Sequence, residues 1–223
     1  MKPYRLLIIW SILTQTYFRI FRPSLLTWGL GLGPENADHH YHGDQLVPKA
    51  NLVATRAIII NASNDQVWQW LAQMGRCRTG FYGIDRLDNW NIPSARYLRN
   101  DIEPLEVGIM LDSGLQVFDF QVNRYLLIGG FHIPNDFDGK TDISYLYQLE
   151  AISPTLTRLT LRMRCRSVGI KGWLYNRVFE MMDSLLTIAQ LKGIKERVED
   201  QPPEFLSIPL SDADVVPTEF EAR

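Results

Sequence analysis

Between Trp70 and Trp90 the chain reads WLAQMGRCRTGFYGIDRLDNW, which crowds Gln73, Arg76, Cys77, Arg78, Tyr82, Asp85 and Asp88 into one short stretch. Two accounts suit those residue types. In the chemical one, Arg78 and Tyr82 present polar groups at a cavity mouth and Asp85 serves as general base. In the architectural one, Arg78 pairs with Asp85 or Asp88 across a helix–helix joint. Gly75 and Gly80 then permit tight turns, while Phe81 and Trp90 plug the core. The segment holds no His, and Cys77 between two arginines has no base beside it, so a nucleophile–base–orienter set is not spelled out.

A second cluster, DHHYHGD, ends at Asp44. His40 and His42 share one face of an extended segment and, with Asp38 or Asp44, would complete a zinc-type set. No distant ligand motif accompanies them, and surface or structural histidines are the competing reading. The two cysteines, Cys77 and Cys165, lie far apart without metal-type spacing and read as buried or free thiols. The 223 residues carry a net charge of −2, with 46% hydrophobic and 22% charged, the balance of a globular protein without an electrostatic footprint for nucleic acid.

The elements that must position these groups are legible from periodicity. LVATRAIII, from Leu52, is a short β-branched strand. Ser63 and Gln66 have capping-box spacing, and Val67, Trp70, Leu71 and Met74 give the following helix one apolar face. Gly75 is expected to supply its left-handed C-terminal cap. FYGIDRLDNW reads as a second, shorter helix. IMLD and QVFDFQV flank a Ser113-Gly114 hairpin turn, and YLLIGGFHI follows as a further strand. A polar loop from Pro134 to Thr141 comes next. Ile143, Tyr145, Tyr147 and Leu149 then alternate with polar residues, Leu146 excepted. Leu159, Leu161, Met163 and Cys165 alternate with Arg158, Arg162, Arg164 and Arg166, which predicts an antiparallel sheet with one buried face and one wet, arginine-striped face. That stripe is either a solvated surface or a contact for an acidic partner or lipid headgroups. Last comes a helix of about 28 residues, Ile170 to Val198, roughly 40 Å long. Its apolar face is Trp173, Leu174, Val178, Met181, Met182, Leu185, Leu186 and Ala189.

The order predicts an α+β domain: a curved antiparallel sheet of about six or seven strands wrapped on the long terminal helix, with two short helices after the first strand. The chain divides into an apolar N-terminal helix (1–27), a Gly- and Pro-containing connector (28–51), the main domain (52–199) and an acidic tail (200–223) expected to be disordered. In the first segment Lys2 and Arg5 precede LLIIWSIL, and Arg19 and Arg22 follow. Residues 4–22 read as a docked or membrane-surface helix, a short span or uncleaved anchor, or a cleaved signal.

The stretch ATRAIIINASNDQVWQWLAQMGRCRTGFYGIDRLDN resembles the opening of the SRPBCC superfamily (START, pollen-allergen and polyketide cyclase/dehydrase proteins with a helix-grip fold). It is most similar to a bacterial branch with a V-W-x-W-L-x-Q-M-G-x-x-R-x-G-F-Y signature, matched here by Val67, Trp68, Trp70, Leu71, Gln73, Met74, Gly75, Arg78, Gly80, Phe81 and Tyr82. Trp28-Gly29, the run from Gly43 to Pro48 and the run from Glu103 to Gly108 add to it. Gly83-Ile84 and Asp88 depart from that pattern, which has Ser-Tyr and Glu there, and Ile109 stands where an acid is common. The resemblance implies a cavity between sheet and helix that binds a small hydrophobic, lipid-like or polyketide-like ligand for transport or sensing, with no cofactor. Its lining would come from Trp70, Met74, Phe81, Tyr82, Phe118, Phe120, Tyr145, Tyr147, Leu161, Met163, Val178, Met181, Met182 and Leu185. The alternative is a cyclase/dehydratase-type enzyme using the same cavity, with Arg78, Tyr82 and Asp85 as candidate catalytic residues. The expected location is the cytoplasm, either free or with the N-terminal segment holding the protein at a membrane. A third reading is an interaction module that uses the arginine stripe.

Overall fold

The computed structural model describes residues 39–135 and 139–200. The expected N-terminal helix, Trp28-Gly29 and the tail beyond residue 200 lie outside the described residues, as do the side chains of Trp173 and Leu174. Among the described residues no helix is long and apolar enough to cross a membrane.

Six antiparallel strands form one sheet: β1 (Leu52–Ile60), β2 (Met110–Asp112), β3 (Leu115–Gln121), β4 (Tyr125–Asn135), β5 (Gly139–Ser153) and β6 (Leu156–Ser167), in the order β1-β6-β5-β4-β3-β2. Helix α1 (Asn64–Gln73) and the single turn α2 (Asp85–Asp88) follow β1, and α3 (Gly169–Asp200) closes the chain's described part. This is the expected helix-grip arrangement. Consecutive strands from β2 to β6 pair as neighbours through short connections, and β1 closes the other edge on β6.

Register decides which side chains look inward. Ala54 pairs with Met163, Met163 with Tyr145 and Tyr145 with Ile128; the adjacent row is Arg56, Leu161, Tyr147 and Leu126. These rows face α1 and α3. Leu126, Ile128, Leu159, Leu161 and Met163 are essentially inaccessible to water. Each such side chain contributes roughly 1.5–3 kcal/mol of burial. At the N-terminus of α1 the Ser63–Gln66 capping box forms, with Ser63 N donating to Gln66 Oε1 at 3.0 Å.

Three expectations are corrected. The outer face of the sheet is not wet throughout: the connector crosses it and buries Tyr41, Asp44 and Val47. Arg162, only 6% exposed, grips Asp44 with Nε at 2.9 Å and Nη2 at 3.1 Å, and its guanidinium lies 4.9 Å from the centre of the Tyr41 ring. Arg164 Nε donates to Val47 O. Leu146, the exception to the alternation of β5, packs there with Tyr41 and Leu127. A charge pattern that looked solvated is a socket for the connector, because a paired, hydrogen-bonded guanidinium tolerates burial.

The second helix shrinks to the four residues of α2. Tyr82 takes φ 63° before it, and Trp90 and Asn91 take φ 50° and 63° after it, left-handed values that stop a helix on both sides. Gly75 takes φ 138° rather than the left-handed cap, and pairs with Gly80 through Gly75 N to Gly80 O (3.0 Å) and Gly80 N to Gly75 O (2.8 Å).

Finally, α3 faces the sheet with a different side from the one its apolar period predicts. Asn176, Glu180, Asp183, Thr187 and Gln190 are buried, whereas Leu185 is 52% exposed. The apolar residues Leu191, Ile194 and Val198 take over inward only in the last turns.

Candidate functional site

A cavity of 180 Å³ lies between the sheet and α3. Ile128, Tyr145 and Tyr147 line it from the strands, Phe81, Leu87 and Asp88 from the joint around α2, and Phe179, Met182, Asp183, Leu186, Thr187 and Gln190 from α3. Arg76, Asp112 and Leu115 complete its wall. It reaches the surface beside Leu87, which is half exposed.

The polar floor exists because α3 turns its hydrophilic side inward, and that side is met by a charge on the sheet. Arg56, fully buried, occupies an inward position of β1 in the same row as Leu161 and Tyr147. Its Nη1 lies 3.1 Å from Asp183 Oδ2, and its Nη2 donates to Ser184 Oγ at 2.6 Å. Tyr145 Oη donates to the other carboxylate oxygen of Asp183 at 3.0 Å. Tyr147 Oη donates to Gln190 Oε1 at 2.9 Å, and Gln190 Nε2 reaches Met74 Sδ at 3.3 Å. Burial raises the pKa of the Asp183 carboxyl despite Arg56 beside it, and pushes both tyrosine hydroxyls upward. The two phenols are therefore neutral hydrogen-bond donors at physiological pH.

Asp88 is different. Its Oδ2 accepts from Ile84 N at 3.0 Å, but its buried Oδ1 has no hydrogen-bond partner. Its neighbour Arg76 is committed elsewhere: Nε donates to the Asp88 carbonyl at 2.9 Å, Nη1 lies 2.9 Å from Asp112 Oδ1, and the guanidinium stacks 4.6 Å from the Trp90 ring centre. Burial, with Asp85 nearby, raises the Asp88 pKa.

The residues of the Trp70–Trp90 segment that looked catalytic stand elsewhere. Arg78 Nη2 donates to the carbonyls of Ala72 (3.2 Å) and Glu103 (2.7 Å) rather than to Asp85 or Asp88. Tyr82 Oη shares a 2.6 Å hydrogen bond with Thr79 and donates to Trp70 O at 3.2 Å; burial raises its pKa to about 12. Asp85 accepts from Ser94 N at 3.1 Å and from Ser94 Oγ. These three side chains bind backbone and loop, and none lines the cavity. Trp90 does not plug the core: it is 58% exposed beneath Arg76. Glycine is required at one contact of this joint, since a Cβ on Gly193 of α3 would run into the Tyr82 carbonyl.

Of the expected lining residues, Phe81, Tyr145, Tyr147 and Met182 reach the cavity. Trp70, Met74, Tyr82, Leu161 and Met163 are packed core instead. Phe120 stacks on Trp68, with ring centres 6.0 Å apart. Phe118 meets Phe131 edge-on and packs on the outer Tyr41–Leu127–Leu146 cluster. Val178, Met181 and Leu185 are absent from the lining, because the helix is rotated relative to its apolar stripe. His40 faces Asp44 at 3.6 Å and His42 faces Asp119 at 2.9 Å, so the two point to different carboxylates. No cluster of three or more metal-type side chains forms among the described residues.

Asp183, Thr187 and Gln190 escaped notice in the sequence, while Arg56 entered only within the family-like stretch and Asp88 only as a partner for Arg78. A signal for them existed: Arg56 falls on the inward register of Leu52, Ala54, Ile58 and Ile60, and a buried arginine demands an acid. The residues 176, 180, 183, 187 and 190 repeat at helical spacing, all polar.

No protein-family model and no curated protein matches the chain. Solved structures do. Protein MLL2253 from Mesorhizobium loti is 14% identical, with 64% of this chain and 96% of that one covered and a TM-score of 0.39. The di-domain aromatase/cyclase BexL from the BE-7585A biosynthetic pathway is 13% identical, with 66% and 46% covered and a TM-score of 0.40. The Zhui aromatase/cyclase from Streptomyces sp. R1128 is 13% identical, with 66% and 93% covered and a TM-score of 0.32. At these distances the activities named for those proteins remain theirs.

Proposed function

We propose that the protein binds a small hydrophobic ligand between the sheet and α3, as a ligand-binding member of the SRPBCC type. One observation carries this: a cavity with aromatic and aliphatic walls survives in a domain whose other inward rows are close-packed. Its size bounds the ligand. An apolar cavity of about 150 Å³ holds benzene, so 180 Å³ suits a single ring with one substituent. A longer lipid or a fused polyketide requires the walls at Leu87 and Leu186 to part. Native mass spectrometry of the purified chain is expected to show one co-purifying apolar molecule, or uptake of added toluene. Thr187→Phe, which fills the cavity, should abolish it. Absence of both binding signals in the unsubstituted chain overturns the reading.

A second reading, a cyclase/dehydratase-type enzyme, is favoured by the Tyr145–Asp183–Arg56 chain on the cavity wall. A neutral phenol that turns its proton from Asp183 to the carbonyl oxygen of an enolisable substrate leaves that carboxylate as the base for the carbon-bound proton. Tyr145→Phe would then lower kcat for a found substrate by about 100-fold, whereas a binding protein would lose little affinity.

Residues 4–22 fit the same proposal as a membrane-surface segment. Replacing Leu7, Ile8 and Ile9 with Asp should abolish cosedimentation with anionic vesicles. Unchanged cosedimentation would remove the membrane from the proposal.

A further inference from the structure

The charges on the cavity wall do not balance. Among the described lining residues the charged side chains are Arg76, Asp88, Asp112 and Asp183. Arg76 pairs with Asp112, and Asp183 pairs with Arg56 behind the wall. Asp88 is left over, 8% exposed, with no ion pair and with one buried carboxylate oxygen lacking a hydrogen bond. A buried, half-satisfied carboxyl costs free energy unless something completes it. Around it the cavity presents four aromatic rings, Phe81, Tyr145, Tyr147 and Phe179. Ring faces attract organic cations, and do so best where water is excluded.

We infer that the cavity selects a small organic cation, an ammonium on an apolar body of about one ring, whose N–H donates to the Asp88 carboxylate while its body lies against the aromatic wall. This rests on the proposed ligand-binding reading and narrows it. The family likeness points to neutral apolar ligands, and Asp88 stands where that pattern has Glu. The shorter acid here packs against Gly83, where any Cβ would collide with the Asp88 carboxylate. Gly83 thus leaves room for the carboxylate beside the Ile84 amide, whose N–H satisfies one oxygen and leaves the other without a partner.

The test is a ladder of isosteric probes on the full chain, read by calorimetry or ligand-detected NMR: toluene, benzyl alcohol and benzylamine. Benzylamine should bind about ten- to hundred-fold more tightly than toluene, the span expected for one hydrogen bond to a charged group, with benzyl alcohol between them. Asp88→Asn, which retains an acceptor for Ile84 N, should remove the benzylamine preference over toluene and benzyl alcohol. Toluene binding without any preference for benzylamine, or a preference that survives Asp88→Asn, overturns the cation assignment alone. Failure of all three probes to bind overturns the ligand-binding reading with it. Should Asp88→Asn not fold, the ladder on the unsubstituted chain still decides whether the cavity prefers a cation, and equal binding of benzylamine and its neutral isosteres overturns the assignment.

Discussion

Helix α3 treats its two halves oppositely. From Asn176 to Gln190 it turns polar side chains to the sheet; from Leu191 to Val198 it turns apolar ones. The second half is ordinary: Leu191 and Ile194 are fully buried in the same cluster as Val67, Trp70 and Leu71 of α1. The first half holds the sheet at a distance with hydrogen bonds and one ion pair, and there the cavity sits. The lesson is that a polar face can be the inward one where its partners are supplied. An Arg on β1 and two tyrosines on β5 meet the helix polar groups, so desolvation is offset locally.

That contrast can be broken in order of size. Asp183→Ala leaves the Arg56 guanidinium buried without its carboxylate and should cost about 3–5 kcal/mol in urea denaturation. The double replacement Arg56→Met, Asp183→Leu should recover most of that loss, since it removes the buried cation together with its carboxylate. Leu191→Ala, in the packed half, should cost about 3 kcal/mol with no recovery by any polar partner, because it opens a void. Tyr147→Phe removes one donor from Gln190 and should cost about 1 kcal/mol.

The smallest effect is the pH dependence of Asp88. Its native pKa is raised, so the folded chain holds this proton more tightly than the unfolded chain does. Stability from this group is therefore fullest at acid pH and is lost as pH rises through the native pKa. Asp88→Asn should then be more stable than the unsubstituted chain at neutral pH, and the advantage should vanish on acidification. Thermal melts at paired pH values check this, and an advantage that grows towards acid would contradict the sign.

Much of the fold could be read before any coordinates, for local reasons. Ser63 and Gln66 are three residues apart and cap α1 without outside help. Ser113-Gly114 closes a hairpin between two alternating runs. Strands β5 and β6 announce themselves by period two, because successive side chains of a strand point to opposite faces of the sheet. The site was legible only in part. Phe81, Tyr145, Tyr147 and Met182 were reachable as apolar or aromatic residues on the expected faces. Asp88 and Asp183 were not, because a carboxylate at a helical position looks solvated until its surroundings are known. Arg78, Tyr82 and Asp85 misled for the converse reason: their partners are backbone carbonyls, amides and hydroxyls that no side-chain pattern displays.

By itself, then, the sequence determined the element order, the antiparallel sheet with its long covering helix, and the joint at Gly75–Gly80, since each follows from propensity, periodicity and turn chemistry within a few residues. Tertiary structure alone decided which side of α3 faces inward, that the arginine stripe is covered by the connector, and that Asp88 ends on a cavity wall. Rotation of a helix about its axis is set by the sum of its contacts. Here Arg56, Tyr145 and Tyr147 outweigh the apolar stripe, and they lie more than thirty residues away along the chain.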